Sequence, residues 1–180
     1  MEQGQIPDQL LADCHTLGSL PATEVLLSRN AALPWFILVP QTLLSDVLDL
    51  PDEHRQAVLA DCAAVSAFIK QVLGFDKVNF AGLGNVVPAM HLHIIGRHPQ
   101  DPCWPQPVWG NLPSGEAYTL QQLREWQAGL VKMAGLVAAP LAAGAISMVF
   151  AESFWFGDVL LFFLPWVAFA AFLVFSLAWI

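Results

Sequence analysis

The chain has 180 residues, a formal net charge of −8 and a hydrophobic content of 56%. The acidic balance excludes a binder of duplex nucleic acid, because such binding depends on clustered Lys and Arg side chains. The three cysteines, Cys14, Cys62 and Cys103, form no CxxC pair, and this odd number favours a reduced, cytoplasmic compartment. The start of the chain has neither the basic nor the apolar region of a secretory signal.

The distribution of charge divides the chain into two unlike parts. All seven Lys and Arg residues lie at or before Lys132, whereas the segment from Met133 to Ile180 has only Glu152 and Asp158 as formal charges. We therefore predict a folded domain over residues 1–132 and a hydrophobic tail over residues 133–180.

The tail contains two uncharged stretches, Met133–Ala151 and Val159–Ile180. Each approaches the roughly 20 helical residues that cross a bilayer, so the tail predicts a two-span transmembrane hairpin. Arg124 and Lys132 precede the first stretch, and the positive-inside rule then places the domain in the cytoplasm, attached to the inner membrane. The alternatives are a buried Ala- and Gly-rich helix for the first stretch and a fused or frame-shifted segment for the whole tail.

Residue periodicity and turn residues predict the elements of the domain in chain order. They are a short helix within Asp8–Thr16, strands Glu24–Ser28 and Trp35–Val39, a helix from the cap Asp52 to the stop at Gly74, strands Lys77–Ala81 and Met90–Arg97, and a short helix before Lys132. Strands that follow each other without a helix between them favour an antiparallel α+β domain over βαβ units.

The stretch Met90–His98 (MHLHIIGRH) is the most informative in the chain. Because side chains alternate along a strand, His91, His93 and Arg97 share one face. Two imidazoles and a guanidinium on one face suit a phosphate ester, since imidazole can act as nucleophile or proton carrier and both groups can bind phosphate oxygens. The alternative is a pair of half-buried histidines with a structural role. A metal site is not expected, because it needs more ligands than this spacing offers.

A longer motif surrounds these histidines. The run NFAGLGNVVPAMHLHIIGRHPQDPCWPQPVWG, residues 79–110, together with LPWFILVPQ, residues 33–41, resembles bacterial members of the histidine-triad (HIT-like) superfamily over about residues 5–130. The resemblance implies a nucleotide-binding α+β fold with an antiparallel sheet and flanking helices. It also implies cleavage of nucleoside phosphoramidates or dinucleoside polyphosphates, or nucleotidyl transfer, without a metal or cofactor. Homodimers are common in the family, so a homodimer is expected.

The resemblance also implies roles for single residues. His91 matches the nucleophile that forms a nucleotidyl-histidine, and His93 matches the last triad histidine, which holds phosphate oxygens and helps the leaving group. Asn79 matches a residue on the phosphate side of the pocket. Asn30 lies near the family's acidic ribose-binding residue. Arg97 is a candidate from its strand face and not from the resemblance: it either binds phosphate or has a surface or ion-pair role. Trp104 and Trp109 either stack on a base or pack the Pro- and Trp-rich segment against the sheet.

The sequence departs from the family pattern at two positions. Ala89 stands where the triad has its first histidine; its main-chain carbonyl can still accept the ring N–H of His91, but the side-chain role is lost. Asn30 replaces an acid and would bind ribose without charge assistance. These departures leave open a second hypothesis, a catalytically weak nucleotide-binding module that the tail anchors to a membrane.

Overall fold

The computed structural model describes residues 6–139 and residue 141. Within them, the strands are β1 (Cys14–Ser19), β2 (Thr23–Ser28), β3 (Trp35–Pro40), β4 (Lys77–Gly82), β5 (Leu92–Arg97) and β6 (Val137–Ala138). The helices are α1 (Asp8–Asp13), α2 (Asp52–Gln71) and α3 (Leu120–Ala134), with a 3-10 turn at Val47–Asp49. The strands form one antiparallel sheet in the order β4-β5-β3-β2-β1-β6.

Helices α2 and α3 cover one face of the sheet. Phe36, Leu38 and Ile94 of this face are fully buried and belong to the same core cluster as Phe68 of α2 and Leu130 of α3. Burial of such side chains stabilises a fold by roughly 1.5–3 kcal/mol each. This face is therefore the main hydrophobic core of the domain.

The two large helices form for reasons that are visible in the sequence. In α2 the buried positions Val58, Cys62, Val65, Phe68 and Ile69 recur at three or four residues, which places them on one side of the helix. Helix α3 begins with a capping box and ends at a glycine in the left-handed conformation. The capping residues are Thr119 and Gln122, and the glycine is Gly135 at φ 69°.

Among the described residues, two small clusters cover the opposite face of the sheet, one at each end. At one end, Leu10 of α1 packs with Cys14, Leu26 and Ile37. At the other end, the Pro- and Trp-rich segment packs Cys103 and Val108 against Ile95. A cavity lies on the part of this face between the two clusters.

The predicted antiparallel α+β fold is confirmed, and the four predicted strands are present. Two strands were not predicted. The helix predicted within Asp8–Thr16 ends at Asp13, and Cys14–Thr16 is extended because β1 pairs with β2. Asp52, the predicted cap, is instead the first residue of α2. The cap position is occupied by Pro51, which makes no side-chain hydrogen bond to the helix.

The described fold continues past residue 132, where the sequence predicts the end of the domain. Helix α3 continues to Ala134, β6 pairs with β1, and Leu141 packs into the main core. A continuous span that begins at Met133 is therefore wrong for its first residues, because Gly135 ends the helix and the chain turns back to the sheet. None of the helices in the described part has the length and hydropathy that a bilayer crossing requires. The remaining predicted spans lie outside the described residues.

Candidate nucleotide site

A cavity of about 580 Å³ lies on the partly covered face of the sheet. Its volume falls within the range of roughly 300–1,000 Å³ that is usual for small-molecule sites. Its lining comes from five parts of the chain: Gln9, Leu10 and Asp13 of α1 with the adjoining Cys14, Ser28 of β2, Trp35 and Ile37 of β3, the loop Leu83–Val87 with His91 and His93, and Pro107 and Trp109. Both sequence-predicted catalytic histidines therefore border one cavity.

His91 lies just before β5, and its ring is fixed by the chain two residues earlier. Its Nδ1 lies 2.7 Å from the carbonyl oxygen of Ala89, as the resemblance predicts. Because a carbonyl oxygen can only accept, Nδ1 must carry the hydrogen of this bond. Nε2 of the neutral ring therefore has a lone pair, which is the form a nucleophile requires.

The His93 ring is held in the opposite tautomer, with its hydrogen on Nε2. The indole N–H of Trp35 donates to Nδ1 of His93 over 2.9 Å. Because an indole N–H can only donate, Nδ1 is the acceptor and the hydrogen of the neutral ring lies on Nε2. The rings of His91 and His93 are edge to face, with centroids 4.9 Å apart. Nε2 of His91 thus offers a lone pair, and Nε2 of the neighbouring His93 offers a hydrogen-bond donor.

The surroundings keep His93 uncharged. Burial, followed by the neighbouring His91, lowers the pKa of His93 from 6.5 to about 4. Trp35 and Trp109 both approach the His93 ring edge on, at 5.6 and 5.3 Å between centroids. At neutral pH His93 can therefore donate a hydrogen bond from Nε2 but has no net charge.

Arg97 lies on the same face of β5 as His93 but does not line the cavity. Its side chain is 1% exposed, and its Nε donates over 2.6 Å to Asp101, which is also buried. Its other donors contact the side-chain oxygen of Asn79 and the carbonyl oxygen of Gln106. The guanidinium thus fixes the Pro- and Trp-rich segment, which is the ion-pair alternative for Arg97.

Asn79 and Asn30 also lie outside the lining of the cavity. Asn79 contacts Arg97. Asn30 joins two loops: its Nδ2 donates to the carbonyl oxygen of Pro113 over 3.0 Å, and its Oδ1 accepts from the backbone N–H of Gly115 over 2.8 Å. A carboxylate cannot make both bonds because it has no donor. An amide at residue 30 therefore has a structural reason in this chain.

Several lining residues were not predicted as site residues. Gln9 and Asp13 of α1 and Ser28 of β2 place polar groups in the cavity lining away from the histidines. The sequence predicts Trp35 only as the start of a strand. Because side chains alternate along a strand, Trp35 shares a face with Ile37, and this could have placed it on the side of the sheet that carries the histidines. Trp109 both packs on Trp35, at 5.5 Å between centroids, and lines the cavity. Proximity of this kind depends on the tertiary fold.

Two buried histidines, His91 just before β5 and His93 within it, thus border one cavity on a partly covered antiparallel sheet, each with a fixed tautomer. Comparison with known proteins identifies the family. The HIT domain family matches residues 9–100. A histidine triad protein from Marinobacter aquaeolei VT8 is 39% identical, with a TM-score of 0.68, and the match covers 74% of this chain and 97% of that one. The chain belongs to the HIT domain family.

Two further solved structures support the assignment. A histidine triad protein from Bradyrhizobium japonicum is 31% identical, with a TM-score of 0.68 and coverage of 73% of this chain and 98% of that one. One from Sinorhizobium meliloti 1021 is 30% identical, with a TM-score of 0.67 and coverage of 72% and 96%. No curated protein matches. Members of the HIT family are generally nucleotide-binding hydrolases or transferases.

Proposed function

We propose that this protein is a hydrolase or nucleotidyl transferase that acts on nucleoside phosphoramidates or dinucleoside polyphosphates. The observation that carries the proposal is the complementary protonation of the two histidines. Nδ1 of His91 donates to Ala89, Nδ1 of His93 accepts from Trp35, and both rings line a cavity large enough for a mononucleotide. A lone pair beside an N–H donor suits attack on a phosphorus atom whose oxygens gain negative charge.

The reaction consists of two displacements at the α-phosphorus. In the first, the lone pair of His91 Nε2 forms an N–P bond while the electron pair of the bond to the leaving group departs with that group. A polyphosphate leaves as an anion, and an amine takes up a proton from solvent. In the second, water or another acceptor attacks the nucleotidyl-histidine, which releases the nucleotide product and a proton and restores His91. His93 Nε2–H stabilises the phosphoryl oxygens in both displacements.

The test uses the full-length chain with adenosine and guanosine 5′-phosphoramidates and dinucleoside polyphosphates. We expect His91→Ala to lower turnover by at least about 10⁴-fold, as is usual when a catalytic nucleophile is removed. Rapid quench in an alkaline denaturant should trap one nucleotidyl group on His91 of the parent, because the N–P bond of a nucleotidyl-histidine is hydrolysed in acid and survives in base; mass spectrometry would locate it. His54→Ala is the matched control, since His54 lies on α2 and does not line the cavity. Turnover that persists in His91→Ala would refute the assignment of His91 as the nucleophile.

A second candidate function rests on Ala89. A side chain without a polar group stands where the triad has its first histidine, so the chain could bind nucleotides with little turnover. Tight binding of a nucleoside monophosphate by a parent that releases no product from any of the substrates would favour this function. In that case the cavity would serve recognition and the histidines would serve as ligands.

Three statements about assembly and location stay predictions. They are the homodimer, the membrane attachment through residues 133–180 and the cytoplasmic position of the domain. Fractionation of cells tests the attachment, because a full-length chain that stays in the supernatant without detergent has no membrane span.

A further inference from the structure

Trp35 is the first residue of β3, and its indole lies between the sheet and the Pro- and Trp-rich segment. It packs with Ile37 in one cluster and with Ile95 and Trp109 in another. A tryptophan that only filled space there would leave its N–H to solvent or to a backbone carbonyl. Instead, the N–H donates to Nδ1 of His93, and Trp35 lies opposite Ile95 in the register of β3 and β5.

The bond is consequential because a neutral imidazole has two tautomers. Only the tautomer with hydrogen on Nε2 can accept from Trp35 and also present a donor to a phosphoryl oxygen. The other tautomer would turn a lone pair toward that oxygen, and its Nδ1–H would oppose the indole N–H. The geometry points to Trp35 as a positioning residue that fixes His93 as a neutral Nε2–H donor. This inference rests on the proposed function for its catalytic consequence only.

The first readout is the tautomer itself. Long-range proton–nitrogen spectra of the full-length chain at neutral pH distinguish the two neutral tautomers, and His93→Ala identifies the signals of His93. We expect the parent to show the Nε2–H form alone and Trp35→Phe to show a mixture. Trp109→Phe is the matched control, because it removes the other indole against His93 but leaves the Trp35 bond, and it should keep the Nε2–H form.

The second readout is a double-mutant cycle on kcat/KM. Trp35→Phe should lower kcat/KM by about 10-fold when His93 is present, less than the roughly 100-fold expected from loss of a transition-state donor. In the His93→Ala background the same substitution should cost less than about 2-fold, since no tautomer remains to be fixed. A Trp35 that only supports the fold would cost the same in both backgrounds.

The outcomes separate this inference from the proposed function. A Trp35→Phe spectrum that keeps the pure Nε2–H form would overturn the inference, and so would equal losses of kcat/KM in both backgrounds. If no variant turns over any substrate, the proposed reaction fails, but the spectra still decide whether Trp35 sets the tautomer. Thermal unfolding of Trp35→Phe checks that its fold is kept; if it is not, Trp35→Leu, which also has no donor, repeats the spectra and the cycle, and the same two results decide.

Discussion

Each end of β5 carries a side chain that can bind phosphate, but the structure places the two side chains in opposite surroundings. His93 and Arg97 lie four residues apart on one face of one strand. His93 borders an open cavity, whereas Arg97 is sealed under the Pro- and Trp-rich segment with Asp101. Alternation along a strand decides which face a side chain joins, but it does not decide what covers that face.

The difference assigns separate tasks to the two ends. The buried ion pair of Arg97 and Asp101 fixes the segment that carries Trp109, and Trp109 forms part of the cavity lining. The histidines then act within that lining. Changes at the covered end should therefore lower stability, and changes at the open end should lower activity with smaller effects on the fold.

Removal of Arg97 should give the largest loss of stability. In Arg97→Met the buried carboxylate of Asp101 loses its partner, so we expect the free energy of unfolding to fall by about 3–5 kcal/mol. Urea unfolding followed by tryptophan fluorescence measures the change. Arg97→Met/Asp101→Leu should recover much of the loss because no buried charge remains. A single variant as stable as the parent would contradict the structural role.

A pH series should detect the neutral state of His93. Its pKa is about 4 in the folded chain and about 6.5 when unfolded, so the unfolded state binds more protons between these values. Stability should therefore fall as pH drops from 6.5 to 4, by about 3 kcal/mol more in the parent than in His93→Gln. Parallel stability curves for the two proteins would show that His93 is not held neutral.

The covered end should respond in a lower pH window. Burial alone raises the pKa of Asp101, but hydrogen bonds from Arg97 and from the backbone of Cys103, with the charge of Arg97, lower it to about 2. The resulting stabilisation is present above pH 4 and is lost as pH falls toward 2, by about 2–3 kcal/mol. Comparison with Asp101→Asn by denaturant unfolding isolates it. A difference that does not change with pH would contradict this ion pair.

Asn30→Asp should have the smallest effect. The acid keeps the acceptor for Gly115 but loses the donor to Pro113, so we expect a loss of about 1 kcal/mol in unfolding free energy. The affinity for a nucleoside monophosphate should change by less than about 2-fold, because residue 30 lies outside the cavity lining. Calorimetric titration measures this affinity, and clearly tighter binding by the variant would return residue 30 to the ribose site.

Sequence reasoning failed for two strands whose own residues have no clear strand pattern. Strand β1 has the polar sequence CHTLGS and becomes extended through β2, and β6 is only two residues long and pairs with β1. The family pattern identified His91 and His93. It also gave a ligand role to Asn30, and the strand face offered one for Arg97; their donors bind Pro113 and Asp101 in this chain.

The sequence by itself determined the antiparallel α+β class, the faces of β5 and the two histidines, because these follow from periodicity and from a contiguous motif. Only the tertiary structure decided the tautomers of those histidines and the covered state of Arg97. Both depend on groups that the fold brings from elsewhere: the indole of Trp35 lies 58 residues from His93 along the chain. A local sequence pattern cannot identify such a partner, because the contact depends on how β3 and β5 pair in the folded sheet.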